Sequence, residues 1–79
     1  MVIGKNQEVK MINKKLLGAI DVAKRYFHEA TIYKTPSGKY EVEPASASVP
    51  KSWILVLHTQ EDKIIATNKK YFKKHPRGW

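Results

Sequence analysis

The stretch Thr31-Ile-Tyr-Lys-Thr-Pro-Ser-Gly-Lys-Tyr-Glu-Val-Glu43 is where the chain changes period. Proline suits the second position of a type I turn, because its ring presets the backbone dihedral, and Pro36 stands there. Gly38 can take the left-handed conformation that follows such a turn. Beyond it, Tyr40 and Val42 alternate with Lys39, Glu41 and Glu43. One apolar face and one wet face around a tight turn predict a half-solvated hairpin of residues 31–35 and 39–43.

Upstream the period is helical. At 100° per residue, Ile12, Leu16, Ala19, Ile20, Ala23, Tyr26, Phe27 and Ala30 share one arc. Asn13, Lys14, Gly18, Asp21, Lys24, Arg25 and His28 share the other, and Leu17 is the one large apolar residue among them. The spacing predicts an amphipathic helix over residues 11–30, capped by Asn6 or Asn13, with Asp21 and Arg25 as an i,i+4 pair. Residues 1–7 show no period and are expected to fray.

Downstream, Pro-Ala-Ser-Ala-Ser-Val-Pro-Lys-Ser over residues 44–52 reads as an exposed, flexible loop of small residues between two prolines. The run Trp53-Ile-Leu-Val-Leu57 opens a strand over residues 53–58. It does not alternate, and strands buried on both faces look like this. With one helix to cover one face, the second face needs the sheet to curl, the C-terminal segment to fold back, or a second chain. A homodimer through the Trp53–Leu57 strand is therefore one expectation. Residues 59–62 form a polar turn and residues 63–66 return as a strand. Residues 67–74 then form a short helix capped by Thr67 or Asn68 and stopped by Pro76, with residues 76–79 loose. Two lysines in its first turn oppose the helix dipole.

Helix, four strands and a short helix predict an α+β fold. One long amphipathic N-terminal helix packs on an antiparallel sheet of three to four strands, in a single small domain of residues 1–79 with a basic C-terminal short helix or tail.

Charge points to the function. The net charge of +8 is distributed as +3 over residues 1–30, −1 over residues 31–62 and +6 over residues 63–79. The last segment has six basic side chains, no acid, and four aromatic or imidazole rings: Tyr71, Phe72, His75 and Trp79. Lysine clusters attract phosphates without regard to sequence, and interleaved rings stack on unpaired bases. The expected binding residues are Lys63, Lys69, Lys70, Tyr71, Lys73, Lys74, Arg77 and Trp79. The alternative use of Tyr71 and Phe72 is to anchor the segment to the core.

Other chemistries find little support. The chain has no cysteine, so disulfides and thiolate metal sites are excluded. His28 with Glu29, and His58 with Glu61 and Asp62, are the His–carboxylate groupings, and the four serines sit in turn or loop stretches without a nucleophile motif. No metal-ligand spacing links His28, His58 and His75. Glu61-Asp62-Lys63 matches half of a metal-dependent nuclease signature but falls in the predicted turn. The glycines are isolated, so no phosphate loop and no nucleotide cofactor are expected. The longest apolar run falls far short of the ~20 residues that span a bilayer, and residues 1–20 gather no secretory apolar core.

The sequence therefore predicts a non-enzymatic, cytoplasmic nucleic-acid-binding protein, for DNA or RNA, without cofactor, metal or membrane partner. The alternative is a protein-interaction module, such as a small phage or mobile-element modulator or inhibitor, that binds an acidic surface of a partner protein.

Overall fold

The predicted turn is present. Gly38 N–H donates to the Thr35 carbonyl at 2.9 Å across Pro36 and Ser37, and Gly38 has φ 87°. Thr35 N–H closes the loop onto the Lys39 carbonyl at 2.9 Å. The hairpin strands are β2 (Glu29–Lys34) and β3 (Tyr40–Pro44), paired from Lys34↔Tyr40 to Ala30↔Pro44. The computed structural model of the chain describes residues 12–13 and 15–75. The expected frayed start, the Asn6 cap, Lys14, the Pro76 stop and the loose tail at 76–79 lie outside the described residues.

The remaining elements are β1 (Ile12–Asn13), α1 (Leu16–Tyr26), β4 (Ile54–Gln60), β5 (Lys63–Thr67) and α2 (Lys69–Lys74). The strands form one antiparallel sheet in the order β1-β3-β2-β4-β5. Four strands carry it, and β1 adds two residues at one edge. The fold is α+β, with α1 packed on the sheet and α2 at the C-terminal side.

The long helix is shorter than its periodicity suggests. It starts at Leu16, because Ile12 and Asn13 are extended and pair with Glu41 and Tyr40. It stops at Tyr26, because Glu29 and Ala30 pair with Gln60 and Thr59. Asn13 is a strand residue, and the N-cap is Lys15, with no side-chain cap. Leu16, Ala19, Ile20, Val22 and Ala23 are buried, while Leu17 is exposed as expected and Tyr26, at the last helical position, is 48% exposed. The Asp21–Arg25 pair forms at 3.1 Å.

Register assigns the two faces of the sheet. Tyr40, Val42, Ile32 and Leu57 fall on the α1 face, and Lys34 and Ile54 share it through their pairing with each other and with Tyr40. Glu41, Glu43, Thr31, Tyr33, His58 and Leu55 fall on the other. In β4 the non-alternating run is resolved by a bulge. Ile32 pairs with Leu57 and Tyr33 with Leu55, so Val56 is the extra residue, and Val56 and Leu57 are both fully buried. A second bulge lies opposite His58 and Thr59, at Ile65 of β5.

The second face has a cover that the sequence reading did not assign to it. β3 and β4 run parallel to each other with β2 between them, so residues 45–53 must return along the length of β2. Crossovers between parallel strands are right-handed. The β1–α1–β2 crossover joins two strands that point one way and the β3–β4 crossover joins two that point the other way, so the rule puts the connections on opposite faces. On the face away from α1, Thr31 is 1% exposed and the Trp53 ring lies 6.0 Å from Tyr33. The segment is tied at its start by Ala45 N–H donating to the Glu29 carbonyl at 3.2 Å, and Ala47 and Val49 are half-buried. The basic C-terminal helix folds back as well, but onto the α1 face.

Candidate nucleic-acid interface

Asn68 places α2. It is the N-cap, and its side-chain oxygen accepts from Tyr71 N–H at 3.2 Å. Its side-chain amide donates to the Leu55 carbonyl at 2.6 Å, and its backbone N–H donates to the Val56 carbonyl at 2.8 Å. One residue therefore starts the helix and bonds it to β4 at the bulge. The lysines that oppose the dipole in the first turn are offset by this cap and by Lys73 and Lys74 in the last turn, where cations are favoured.

Tyr71 is the helix's anchor. It is 4% exposed, its hydroxyl is hydrogen-bonded to that of Tyr40, and its ring meets Phe72 edge-on at 5.2 Å. Burial first, then the Tyr40 bond and charge, push its pKa above the usual tyrosine range. A ring this enclosed braces the segment and is closed to a stacking base.

With Tyr71 turned inward, Lys69, Lys70, Lys73, Lys74 and His75 are exposed. Lys34 joins them from the hairpin. Its Nζ lies 5.1 Å from the Tyr40 ring centroid and 5.8 Å from that of Tyr71. Cations over such rings are held by the ring quadrupole. Among the described residues the ion pairs are Arg25 with Asp21 and His28 with Glu61, so none of these five lysines has a carboxylate partner. Glu41 and Glu43 lie on the opposite face, where burial and then Glu43 raise the Glu41 pKa.

Between α2 and β4 is a pocket of about 310 Å³, lined by Ile54, Asn68, Lys70, Tyr71, Lys73, Lys74 and His75. Ile54 is 51% exposed at its floor.

The sequence-predicted residues divide as follows. Lys69, Lys70, Lys73 and Lys74 share one helix, with Tyr71 as its brace. Lys63 begins β5, four residues before Thr67, which puts it ~13 Å from the helix end of that strand. Arg77 and Trp79 lie outside the described residues. Lys34 was missed. The available signal was the hairpin register, since placing the turn at residues 35–39 pairs Lys34 with Tyr40.

The histidine groupings rearrange. His28 faces Glu61 across 3.8 Å on the surface, rather than Glu29, and His58 Nδ1 is 2.7 Å from Thr31 Oγ1. Glu61 and Asp62 form the two-residue turn of the β4–β5 hairpin, with Glu61 at φ 56°. No group of three or more metal-ligating side chains occurs among the described residues, and none of the described helices is long and apolar enough to cross a membrane.

Comparison of the chain with protein-family models, curated proteins and solved structures found no match.

Proposed function

We propose that the chain is a small, non-enzymatic nucleic-acid-binding protein of the cytoplasm whose contact surface is α2 together with Lys34. The observation that carries this reading is five lysines on one side of the sheet without a carboxylate partner among the described residues. Unneutralised cations held close together are attracted to a polyanion and release its counterions on binding. The acids Glu29, Glu41 and Glu43 lie on the opposite face, so the charge asymmetry orients the encounter. Lys69, Lys70, Lys73 and Lys74 contact phosphates, and Lys63, Arg77 and Trp79 extend the contact in the same reading. A labelled oligonucleotide, single- or double-stranded, should bind at low salt with an affinity that falls steeply as salt rises. Absence of binding to both at low ionic strength defeats the proposal.

A second reading, as a protein-interaction module, has its own observation. β5 is an edge strand with all five residues exposed, including Ile64 at 37% and Ile65 at 57%. Exposed edges accept a further strand, and Lys63, Lys69 and Lys70 flank this one, which favours an acidic partner. β4 itself is paired on both sides, so the large apolar residues of β4 and β5 open to a partner chain, or to a second copy, are Ile54, Ile64 and Ile65. Amide exchange at residues 63–67 should slow when a peptide of alternating Glu and Val is added, and Ile65→Pro should abolish the effect. Unchanged exchange removes this reading.

A further inference from the structure

The pocket beside α2 combines features that a phosphate-only surface does not need. Its floor is the apolar side chain of Ile54, half exposed in a strand where the neighbouring Val56 and Leu57 are fully buried. One wall is His75, whose ring lies against Tyr71 at 4.6 Å between centroids and an interplanar angle of 30°, so one ring face is backed and the residue stays exposed. The rim is cationic, with Lys70, Lys73 and Lys74 from α2. Lys34, paired with Ile54 across the sheet, adds a fourth cation beside it.

We infer that this pocket receives one unpaired nucleobase, and that the chain therefore prefers single-stranded nucleic acid over duplex. The inference rests on the nucleic-acid reading above and narrows it. A volume of about 310 Å³ is at the lower end of small-molecule sites, which run ~300–1,000 Å³. It suits a single planar ring and not a helical rod. In a duplex the bases are stacked and paired, and the molecule offers a convex row of phosphates that cannot reach an apolar floor. A single strand can turn one base into the pocket, over Ile54 and against His75, while the phosphates on either side reach Lys34, Lys70 and Lys74. Modules that bind single strands combine aromatic platforms with positive grooves in this way. The contact is to a base face, so it implies little base preference.

The test uses the full chain and fluorescence anisotropy at one fixed salt concentration. The probes are a labelled mixed-sequence oligonucleotide, the duplex of the same sequence, the same strand with abasic sites, and a free mononucleotide as competitor. The single strand should bind about tenfold tighter than the duplex, and the abasic strand should lose most of that advantage. Abasic probes alter no protein residue, so this arm does not depend on any variant folding. Ile54→Lys fills the pocket and adds a cation. Pure phosphate attraction would make that variant bind every probe more tightly. A base pocket predicts that its preference for single strand over duplex shrinks to within about twofold, and His75→Ala should move in the same direction. Equal binding of strand and duplex overturns the inference, as does full retention of affinity by the abasic strand. A mononucleotide that competes as well as the strand overturns it too, in favour of a free-nucleotide site. Loss of binding to every probe at low salt is a different result, and it removes the proposed function itself.

Discussion

α1 and α2 lie on the same face of one sheet, and apolar packing and hydrogen bonds hold them there in different proportions. α1 has eleven residues, buries five side chains in the core, and neutralises part of its outer face with the Asp21–Arg25 pair. α2 has six residues, buries Tyr71 in the core and packs the half-buried Phe72 against it. Hydrogen bonds from Asn68 and the paired tyrosine hydroxyls add to that smaller apolar contact and fix its position. Its lysines have no counter-charge among the described residues. Removing apolar area from water is the larger and less directional force. Hydrogen bonds contribute less net stability and fix geometry more closely. The first helix makes the domain stable, and the second presents charge at a defined place on it.

Core substitution should break this comparison most strongly. Leu16 is fully buried, so Leu16→Ala should cost about 2–5 kcal/mol. That is a large share of the ~5–15 kcal/mol typical of a domain. Urea denaturation should show a much lower midpoint, and nucleic-acid affinity should fall only as the folded fraction falls.

Asn68→Ala should separate the two helices. It removes a cap worth ~1 kcal/mol and a side-chain bond to the Leu55 carbonyl worth about as much again. The loss should be local. Amides of residues 69–74 should exchange faster while those of α1 keep their protection, and affinity should fall with the fold intact. Asn68→Asp retains the capping oxygen but cannot donate to Leu55, so it should fall between the two.

Tyr71→Phe should be milder, about 1 kcal/mol at neutral pH, through loss of the bond to Tyr40. The folded chain holds the Tyr71 proton more tightly than the unfolded chain does. Stability is therefore kept below the ordinary tyrosine pKa of ~10 and falls as pH rises above it. Tyr71→Phe should flatten that alkaline loss in a thermal melt series.

Glu41→Gln tests the opposite face and should have the smallest effect. The carboxyl pKa is raised by burial and by Glu43, so the native state binds more protons than the unfolded one. Stability falls as pH climbs from the ordinary glutamate value of ~4.3 through the raised one. The substitution should remove that slope in urea midpoints measured against pH, with no change in oligonucleotide binding.

Features set by neighbouring residues were legible in the sequence. Pro36 and Gly38 specify their turn with their own backbone preferences, and Asn68, one of the two expected caps beside Thr67, caps α2 with an atom three residues from its partner. Tyr71 as an anchor was one of two readings that its position among the lysines left open. Features set by strand order were not legible. Ile12 and Ala30 fit the helical arc, yet both are extended, because pairing with β3 and β4 outweighs a periodicity that two terminal residues satisfy by composition alone. Residues 44–52 read as a loop. That they cross the open face follows from β4 pairing with β2 rather than β3, which no local pattern encodes. Lys34 reaches the candidate site only because the hairpin puts it beside Tyr40 and Ile54. Charge clustering along the chain found α2 and could not find a lysine thirty-five positions before Lys69.

The most direct test of the central claim is the salt dependence of oligonucleotide binding in the wild type and in Lys70→Ala, Lys74→Ala and the double variant. Stability should stay within about 0.5 kcal/mol, as for ordinary surface changes. The slope of log affinity against log salt should shrink by ~0.7–0.9 for each lysine removed. Unchanged affinity and slope in the double variant, with the fold intact, would contradict it.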